Sequence, residues 1–92
     1  MAVGIRIKLN GGTAEQMDAL NAEIDPASNP PEGLLFHASG PVDGGWGALD
    51  FWQSRAHFDR FAEERIGPAM AAIGAQAQPE IHEFPVHEHF PL

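Results

Sequence analysis

The chain has 92 residues, which is the size of one domain and leaves no room for a second. Thirteen Asp and Glu against five Lys and Arg give a formal net charge of −8, the wrong sign for a phosphate backbone, so nucleic-acid binding is not expected. Cysteine is absent, which excludes disulfides, thiolate nucleophiles and Cys–zinc sites, and no apolar run approaches the ~18 residues of a membrane span. With no secretion signal at its start, we expect a cytoplasmic protein.

The first elements are a strand and a helix. Residues 3–9 alternate strictly between apolar side chains and Gly, Arg or Lys, which predicts a strand. After a glycine-rich break, Thr13 and Gln16 have the spacing of a capping box and predict the start of a helix. The helix is expected to end at Asp25, because the residue before a proline is pushed out of the helical region.

A loop with three prolines leads to a predicted hairpin. Residues 34–41 form its first strand, and the turn at 42–45 predicts that residues 46–52 return antiparallel. We expect Leu34, Phe36 and Ala38 on one face of the first strand, with Leu35, His37 and Ser39 on the other. The second strand is expected to carry Leu49 and Phe51 on one face, and Trp46, Ala48, Asp50 and Trp52 on the other.

A second helix and a last strand complete the chain. Ser54 suits the N-cap of the helix, and Gly67-Pro68 is expected to kink or split it. Residues 80–90 alternate as a strand interrupted by Pro85, which suits an edge or a bulge. The order strand, helix, strand, strand, helix, strand predicts one α+β domain over residues 1–92, with a ferredoxin-like four-stranded antiparallel sheet and helices on one face.

Residues 48–61, ALDFWQSRAHFDRF, form a strand that ends in an aromatic residue and a serine before a helix with paired aromatics. This segment resembles the dimeric α/β-barrel superfamily that includes antibiotic-biosynthesis-monooxygenase-type domains, and the resemblance covers nearly the whole chain. It implies a homodimer whose two sheets pair face to face, and a small, often aromatic molecule bound between sheet and helices. Members include cofactor-free oxygenases, cyclases, lactone isomerases, haem-degrading enzymes and proteins of no known activity, and fold alone does not choose among them.

A sheet with helices on one face leaves its other face bare, which invites a second copy of the chain. We assign Leu35, Trp46, Ala48 and Trp52 to this bare face. Since the first and third strands are central neighbours in this fold, Arg6 and Asp50 are both expected to point into the region that the second copy covers.

Asp50 and His37 are the candidate acid/base residues. Asp50 lies in a central strand, where a buried carboxylate needs a partner. It is interpreted either as an acid/base or substrate-orienting group, or as the structural partner of Arg6. His37, assigned to the face away from the helices, is either a base near neutral pH or a satisfied structural histidine. On adjacent strands, the two residues can form a pair that removes a proton from an activated C–H or O–H.

Other residues are candidates for binding. Trp46 and Trp52 share a face and can stack a flat ligand, with Arg6 as a further binding residue, although aromatic residues at alternating spacing more often belong to a core or a dimer interface. His87 and His89, with Glu83 on the same side of the strand, are weaker candidates for a divalent metal, because two imidazoles do not make a site. With no cysteine and no glycine-rich dinucleotide turn, the chain is expected to carry no cofactor.

The leading hypothesis is a cofactor-free enzyme that acts on a hydrophobic or aromatic substrate. His37 or Asp50 would form an enolate or phenolate, and oxygenation, cyclisation or isomerisation would follow. The alternatives are a non-catalytic ligand-binding or structural dimer, and haem or metal binding through a histidine. A cavity touching His37 and Asp50 favours the enzyme, whereas a filled interior favours a structural dimer.

Overall fold

Four antiparallel strands form one sheet in the order β2-β3-β1-β4, with β1 and β3 in its centre. The computed structural model describes residues 2–75 and 79–90. The elements in chain order are β1 (Val3–Asn10), α1 (Ala14–Ile24), β2 (Leu34–Val42), β3 (Gly45–Trp52), α2 (Arg55–Phe61), a π-helical turn (Ala62–Ile66), α3 (Gly67–Ala72) and β4 (Pro79–Pro85). The predicted ferredoxin-like fold is therefore confirmed.

The residues predicted to cap the helices lie at the helix ends. Thr13 Oγ1 accepts a hydrogen bond of 3.1 Å from the Gln16 amide at the start of α1. Asp25 ends that helix in the left-handed conformation, at φ 50°, with its amide bonded to the Asn21 carbonyl. Ser54 Oγ accepts a bond of 3.3 Å from the His57 amide at the start of α2. These caps satisfy amide and carbonyl groups that a helix end leaves unpaired.

The expected kink at Gly67-Pro68 takes the form of a π-helical turn. Pro68 has no amide hydrogen to donate to the carbonyl four residues earlier, so an α-helix is interrupted there. Just before the proline, the Gly67 amide donates instead to the Ala62 carbonyl, five residues back. The wider turn accommodates Pro68 without breaking the helix, and helical structure is continuous from Arg55 to Ala72.

The helices cover the sheet face that carries Trp52, which corrects the expected orientation. The Trp52 ring packs against Phe58 and Phe61, with ring centroids 5.8 and 5.3 Å apart. Because side chains alternate between the two faces of a strand, every second residue of β3 lies on this helix face rather than on the bare face: Trp46, Ala48, Asp50 and Trp52. The expectation was wrong because both faces of β3 are largely apolar, and alternation shows which residues share a face without showing which face the helices cover.

A β-bulge at Leu35 shifts the start of β2. Leu34 lies opposite Trp52 and Phe36 lies opposite Phe51, so Leu35 is the extra residue. Leu34 therefore shares the helix face with His37, and the expected grouping of Leu34 with Phe36 was wrong. His37 was likewise expected away from the helices, and it lies on the helix face.

The opposite, outer face of the sheet carries a row of three phenylalanines. The row consists of Phe36 on β2, Phe51 on β3 and Phe84 on β4. The ring centroids of Phe36 and Phe51 are 6.0 Å apart, and those of Phe51 and Phe84, which meet across β1, are 6.2 Å apart. Phe36 and Phe84 are 53% and 39% exposed. We call these three residues the aromatic row.

Arg6 also lies on the outer face, because it stands opposite Leu49 in the β1–β3 ladder. Asp50 stands opposite Ile5 and points to the helix face. The alternative interpretation of Asp50 as the structural partner of Arg6 is therefore wrong, since the sheet itself separates the two side chains.

The core of the domain lies between sheet and helices. Its buried cluster consists of Val3, Ile5, Trp52 and Phe58. Within residues 2–75 and 79–90, no helix is long and apolar enough to cross a membrane.

Candidate functional site

A cavity of about 280 Å³ separates part of the helix face from the helices. Its volume is just below the ~300–1,000 Å³ typical of sites for drug-sized ligands, which favours a small ligand. Most side chains around it are apolar, and they come from all three helices and the sheet: Ile7, Leu9, Met17, Leu20, Ile24, Phe61, Ile66 and Met70. The interior is therefore not filled, whereas a filled interior is what would favour a purely structural dimer.

His37 and Asp50 meet in the wall of this cavity. The hairpin register places them directly opposite each other on β2 and β3. His37 Nδ1 lies 2.5 Å from Asp50 Oδ1, and the other carboxylate oxygen accepts a bond of 3.3 Å from Trp52 Nε1. Asp50 is only 4% exposed, so these two donors satisfy a carboxylate that burial alone would destabilise. The structure thus brings together the two residues predicted as an acid/base pair.

The hydrogen bond from His37 to Asp50 raises the pKa of His37 above its ordinary value of 6.5. Partial burial of the imidazole opposes this rise without cancelling it. With Nδ1 held by Asp50, Nε2 is the ring nitrogen left for a ligand. His37 can therefore donate a proton through Nε2 when it is charged and accept one there when it is neutral.

The two tryptophans have different roles in the structure. Trp52 is fully buried between Phe58 and Phe61, so it packs in the core and orients Asp50. Trp46 lines the cavity, and its Nε1 is buried with no hydrogen-bond partner among the described residues. Both predicted stacking residues line the cavity, but Trp46 is only partly buried and lies beside small neighbours such as Ala48, whereas Trp52 is fully buried.

Arg6 is not part of this site. It borders a shallow groove of about 630 Å³ on the outer face, together with Lys8 and His82. Its predicted role in binding the same ligand as His37 is therefore not supported, because the sheet lies between them.

The predicted metal pair is not assembled either. β4 ends at Pro85 rather than at residue 90, and His87 and His89 are exposed beyond it. Glu83 bonds instead to Arg55, at 2.8 Å. The described residues contain no group of three or more His, Cys, Asp or Glu side chains that could hold a metal ion. Haem or metal binding through a cavity histidine would therefore depend on His37 Nε2.

The sequence reasoning assigned no function to Ser39, which also borders the cavity. Its signal was present in the sequence, since it follows His37 by two residues in a predicted strand and so shares its face. Met17 and Met70, typical of core filling, line the cavity as well.

Comparison with protein-family models finds no match, and comparison with curated proteins finds none either. Solved structures are similar along almost the whole chain. SnoaB, a cofactor-independent oxygenase from Streptomyces nogalater, is 16% identical with a TM-score of 0.66, over 99% of this chain and 97% of that one. A dimeric ferredoxin-like protein of unknown function from Jannaschia sp. CCS1 is 16% identical with a TM-score of 0.66, over 94% of this chain and all of that one.

A third similar structure is a mutant of MhuD solved with two manganese protoporphyrin IX molecules bound per active site. It is 21% identical with a TM-score of 0.65, and 99% of each chain is covered. Identities this low show a shared fold alone, and the three proteins are described differently: an oxygenase, a protein of unknown function and a protein with bound manganese protoporphyrin IX. The chain therefore has the ferredoxin-like fold of antibiotic-biosynthesis-monooxygenase-like proteins, as residues 48–61 led us to expect.

Proposed function

We propose that the cavity binds a small, flat, hydrophobic or aromatic molecule and that His37 moves a proton at an acidic C–H or O–H of that molecule. The observation that carries this proposal is the hydrogen bond between His37 and a buried Asp50 at the edge of an apolar cavity. The likeness to SnoaB, a cofactor-independent oxygenase, supports the same class of chemistry through the fold alone.

The geometry suggests how the pair works. Neutral His37 accepts the substrate proton at Nε2, while Asp50 holds the Nδ1 proton and stabilises the imidazolium that forms. The surrounding apolar side chains exclude water, which strengthens the attraction between the imidazolium and the new enolate or phenolate. Oxygen addition, cyclisation or isomerisation can start from that anion.

Binding without turnover is the second candidate, and one observation favours it. The hydrogen bond to Asp50 raises the pKa of His37 and so favours its charged form, in which the imidazolium is a donor rather than a base. A cavity with such a donor suits a phenolate or carboxylate ligand. The two candidates differ in whether a chemical step follows binding.

Anthrone distinguishes them, because it is a flat ketone with an acidic methylene. Its oxidation by O2 yields anthraquinone and water: one oxygen atom becomes the new carbonyl and the other leaves with the two methylene hydrogens. We expect the protein to accelerate the appearance of anthraquinone absorbance. Replacing His37 by Ala should lower this rate about 10²–10⁴-fold, which is the usual contribution of a general base.

Two variants make this test specific. His37→Gln keeps a donor for Asp50 but cannot accept a proton, so it should be as slow as His37→Ala while remaining folded. His82→Ala removes a histidine from the outer face and should leave the rate unchanged. A folded His37→Gln variant with the full rate would contradict the acid/base role. Binding of anthrone by the wild type without any acceleration would favour the non-catalytic candidate.

A further inference from the structure

We infer that the Ser39 hydroxyl donates a hydrogen bond to the substrate oxygen that gains negative charge when His37 removes the proton. The inference rests on the proposed function and adds to it a second polar contact. It also narrows the substrate class to flat ketones and phenols.

The position of Ser39 on β2 is the first observation. Ser39 follows His37 by one strand repeat, about 6.6 Å, on the same face of β2. Both residues line the same cavity, and Ser39, near the edge of the sheet, borders the outer groove as well. A ligand lying along β2 therefore meets an imidazole at one end and a hydroxyl at the other.

The surroundings of Ser39 leave its hydroxyl available. Ser39 stands opposite Ala48, which in turn stands opposite Ile7, so its neighbours on the helix face are small or apolar. Across residues 2–75 and 79–90, no side-chain hydrogen bond involves Ser39. By contrast, the Ser54 hydroxyl is engaged by both the ring and the amide of His57.

Two tryptophans of the sheet also line the cavity and carry neutral donors, but Trp52 Nε1 donates to Asp50 and Trp46 Nε1 is buried. Ser39 is exposed, and the His37 side chain is 45% exposed, whereas Trp52 and Phe58 are buried. The polar groups thus lie along the open edge of the cavity and the aromatic groups lie further in. This arrangement suits a ligand that places its rings inward and its oxygen at β2.

The spacing also limits the ligand. In a ketone, an acidic carbon facing His37 and a carbonyl oxygen facing Ser39 must lie on opposite sides of about one ring, once the two hydrogen-bond lengths are included. Ring ketones with an acidic methylene across the ring fit this description. A phenol fits in a different way, because its single oxygen carries the acidic proton and gains the charge, and it binds between the two residues.

The ionisation of a bound phenol tests the inference without any turnover. The probe is 4-nitrophenol, whose phenol and phenolate forms absorb at different wavelengths, and naphthalene is the matched probe without oxygen. In the wild type we expect the pKa of bound 4-nitrophenol to fall below its value in solution, because both His37 and Ser39 donate to the phenolate.

The variants form a pair of equal shape. Ser39→Val removes the hydroxyl, whereas Ser39→Thr keeps it, and both β-branched side chains suit a strand. Ser39→Val should weaken phenolate binding about three- to tenfold, the usual effect of losing one hydrogen bond, and raise the pKa of the bound probe by about half a unit to one unit. Ser39→Thr should retain the wild-type values, and Ser28→Ala, in the exposed proline-rich loop, is the control.

The outcomes separate the two proposals. If both probes bind and Ser39→Val matches Ser39→Thr in the pKa of bound 4-nitrophenol, the role of Ser39 is wrong while the cavity proposal stands. If naphthalene binding falls along with phenolate binding in Ser39→Val, the residue shapes the cavity and the hydrogen bond is again contradicted. If neither probe binds the wild type, the proposed function fails and the inference fails with it.

Discussion

Asp50 connects the candidate site to the core. One of its oxygens accepts from His37 at the cavity, and the other accepts from Trp52, whose ring is fully buried against two phenylalanines. The carboxylate is therefore held in one orientation by packing rather than by a flexible surface contact. The imidazole of His37, on an edge strand and partly exposed, takes its orientation from Asp50 in turn.

The pH dependence of the anthrone reaction follows from this pair. His37 must be neutral to accept a proton, so we expect the rate to rise with pH and to reach half its plateau above pH 6.5, since the bond to Asp50 raises the pKa of His37. Asp50→Asn removes the negative charge, and the burial that remains should move the midpoint downward. NMR titration of the His37 ring gives the same pKa without a substrate. A wild-type midpoint below 6.5 would contradict the arrangement.

The same pKa shift affects stability, with a definite sign. Because the folded-state pKa of His37 lies above its unfolded value of 6.5, its contribution to stability is fully present below pH 6.5 and is lost as the pH rises through the folded-state value. The difference in unfolding free energy between the wild type and Asp50→Asn should shrink over that range. Because His37 is half-exposed, water screens the pair and the change should be modest.

At the scale of elements, the β2–β3 hairpin is fastened to the end of β1. The Gly11 amide donates to the Gly44 carbonyl at 2.8 Å, which joins the turn after β1 to the hairpin turn. Gly45 passes so close to β1 that a Cβ there would lie 2.1 Å from the Leu9 carbonyl oxygen. This close approach fixes the hairpin that carries both His37 and Asp50.

Two glycine substitutions test that attachment. Gly45→Ala forces the backbones of β1 and β3 apart, and should lower the free energy of unfolding by about 1–3 kcal/mol or more, as overpacking does. Gly40→Ala, in β2, meets no atom within 4 Å and should be neutral or stabilising by about 0.5–1 kcal/mol. Urea denaturation of both variants at one protein concentration measures the difference. Equal stabilities would show that the hairpin is not held at Gly45.

The bounds of the strands and helices could be predicted from the sequence better than the side of the sheet on which the helices pack. Thr13, Asp25 and Ser54 mark helix ends through local hydrogen bonds and backbone preferences that depend on neighbours in sequence. The side of the sheet on which Trp52 packs depends on the helices, and the apolar residues on both faces of β3 gave no indication of it. The bulge at Leu35 likewise adds one residue, and the sequence of β2 does not indicate where the alternation of its side chains shifts.

The candidate site was partly predictable for the same reason. His37 and Asp50 were expected on adjacent strands, and strand register alone brings them together. Arg6 was expected beside Asp50 because the two strands are neighbours, but residues on neighbouring strands meet only when they share a face. The cavity depends on how three helices pack, which alternation along a strand does not describe.

At the scale of the whole molecule, the outer face of the sheet is the surface on which the predicted oligomeric state depends. The aromatic row lies on the sheet face that no described element covers, with Phe36 and Phe84 exposed, and exposed apolar surface of this kind typically marks an interface. The homodimer expected from the sequence remains a prediction. Its interface, however, is now expected at the aromatic row rather than at Trp46 and Trp52, which face the helices.

We expect a homodimer that buries well over ~1,000 Å² in total, visible by sedimentation at low micromolar concentration. Phe36→Asp should dissociate it, because the interface would then bury an unpaired charge. Ala19→Asp adds the same charge to an exposed position of α1 and should leave the dimer intact. A folded wild-type monomer at that concentration would contradict the predicted assembly.

The short turn between β2 and β3 has a consequence for how this protein can vary in length. His37 and Asp50 are 13 residues apart, and they meet because one turn joins their strands in a fixed register. Inserting or deleting a single residue within the paired segments between them, 38–42 and 45–49, would shift one strand against the other or force a bulge, and could turn one of the two side chains to the outer face. Homologues that use this pair should therefore vary in length at the hairpin turn, residues 43–44, or between α1 and β2, rather than within those segments. An alignment can be read for that restriction before any homologue is purified.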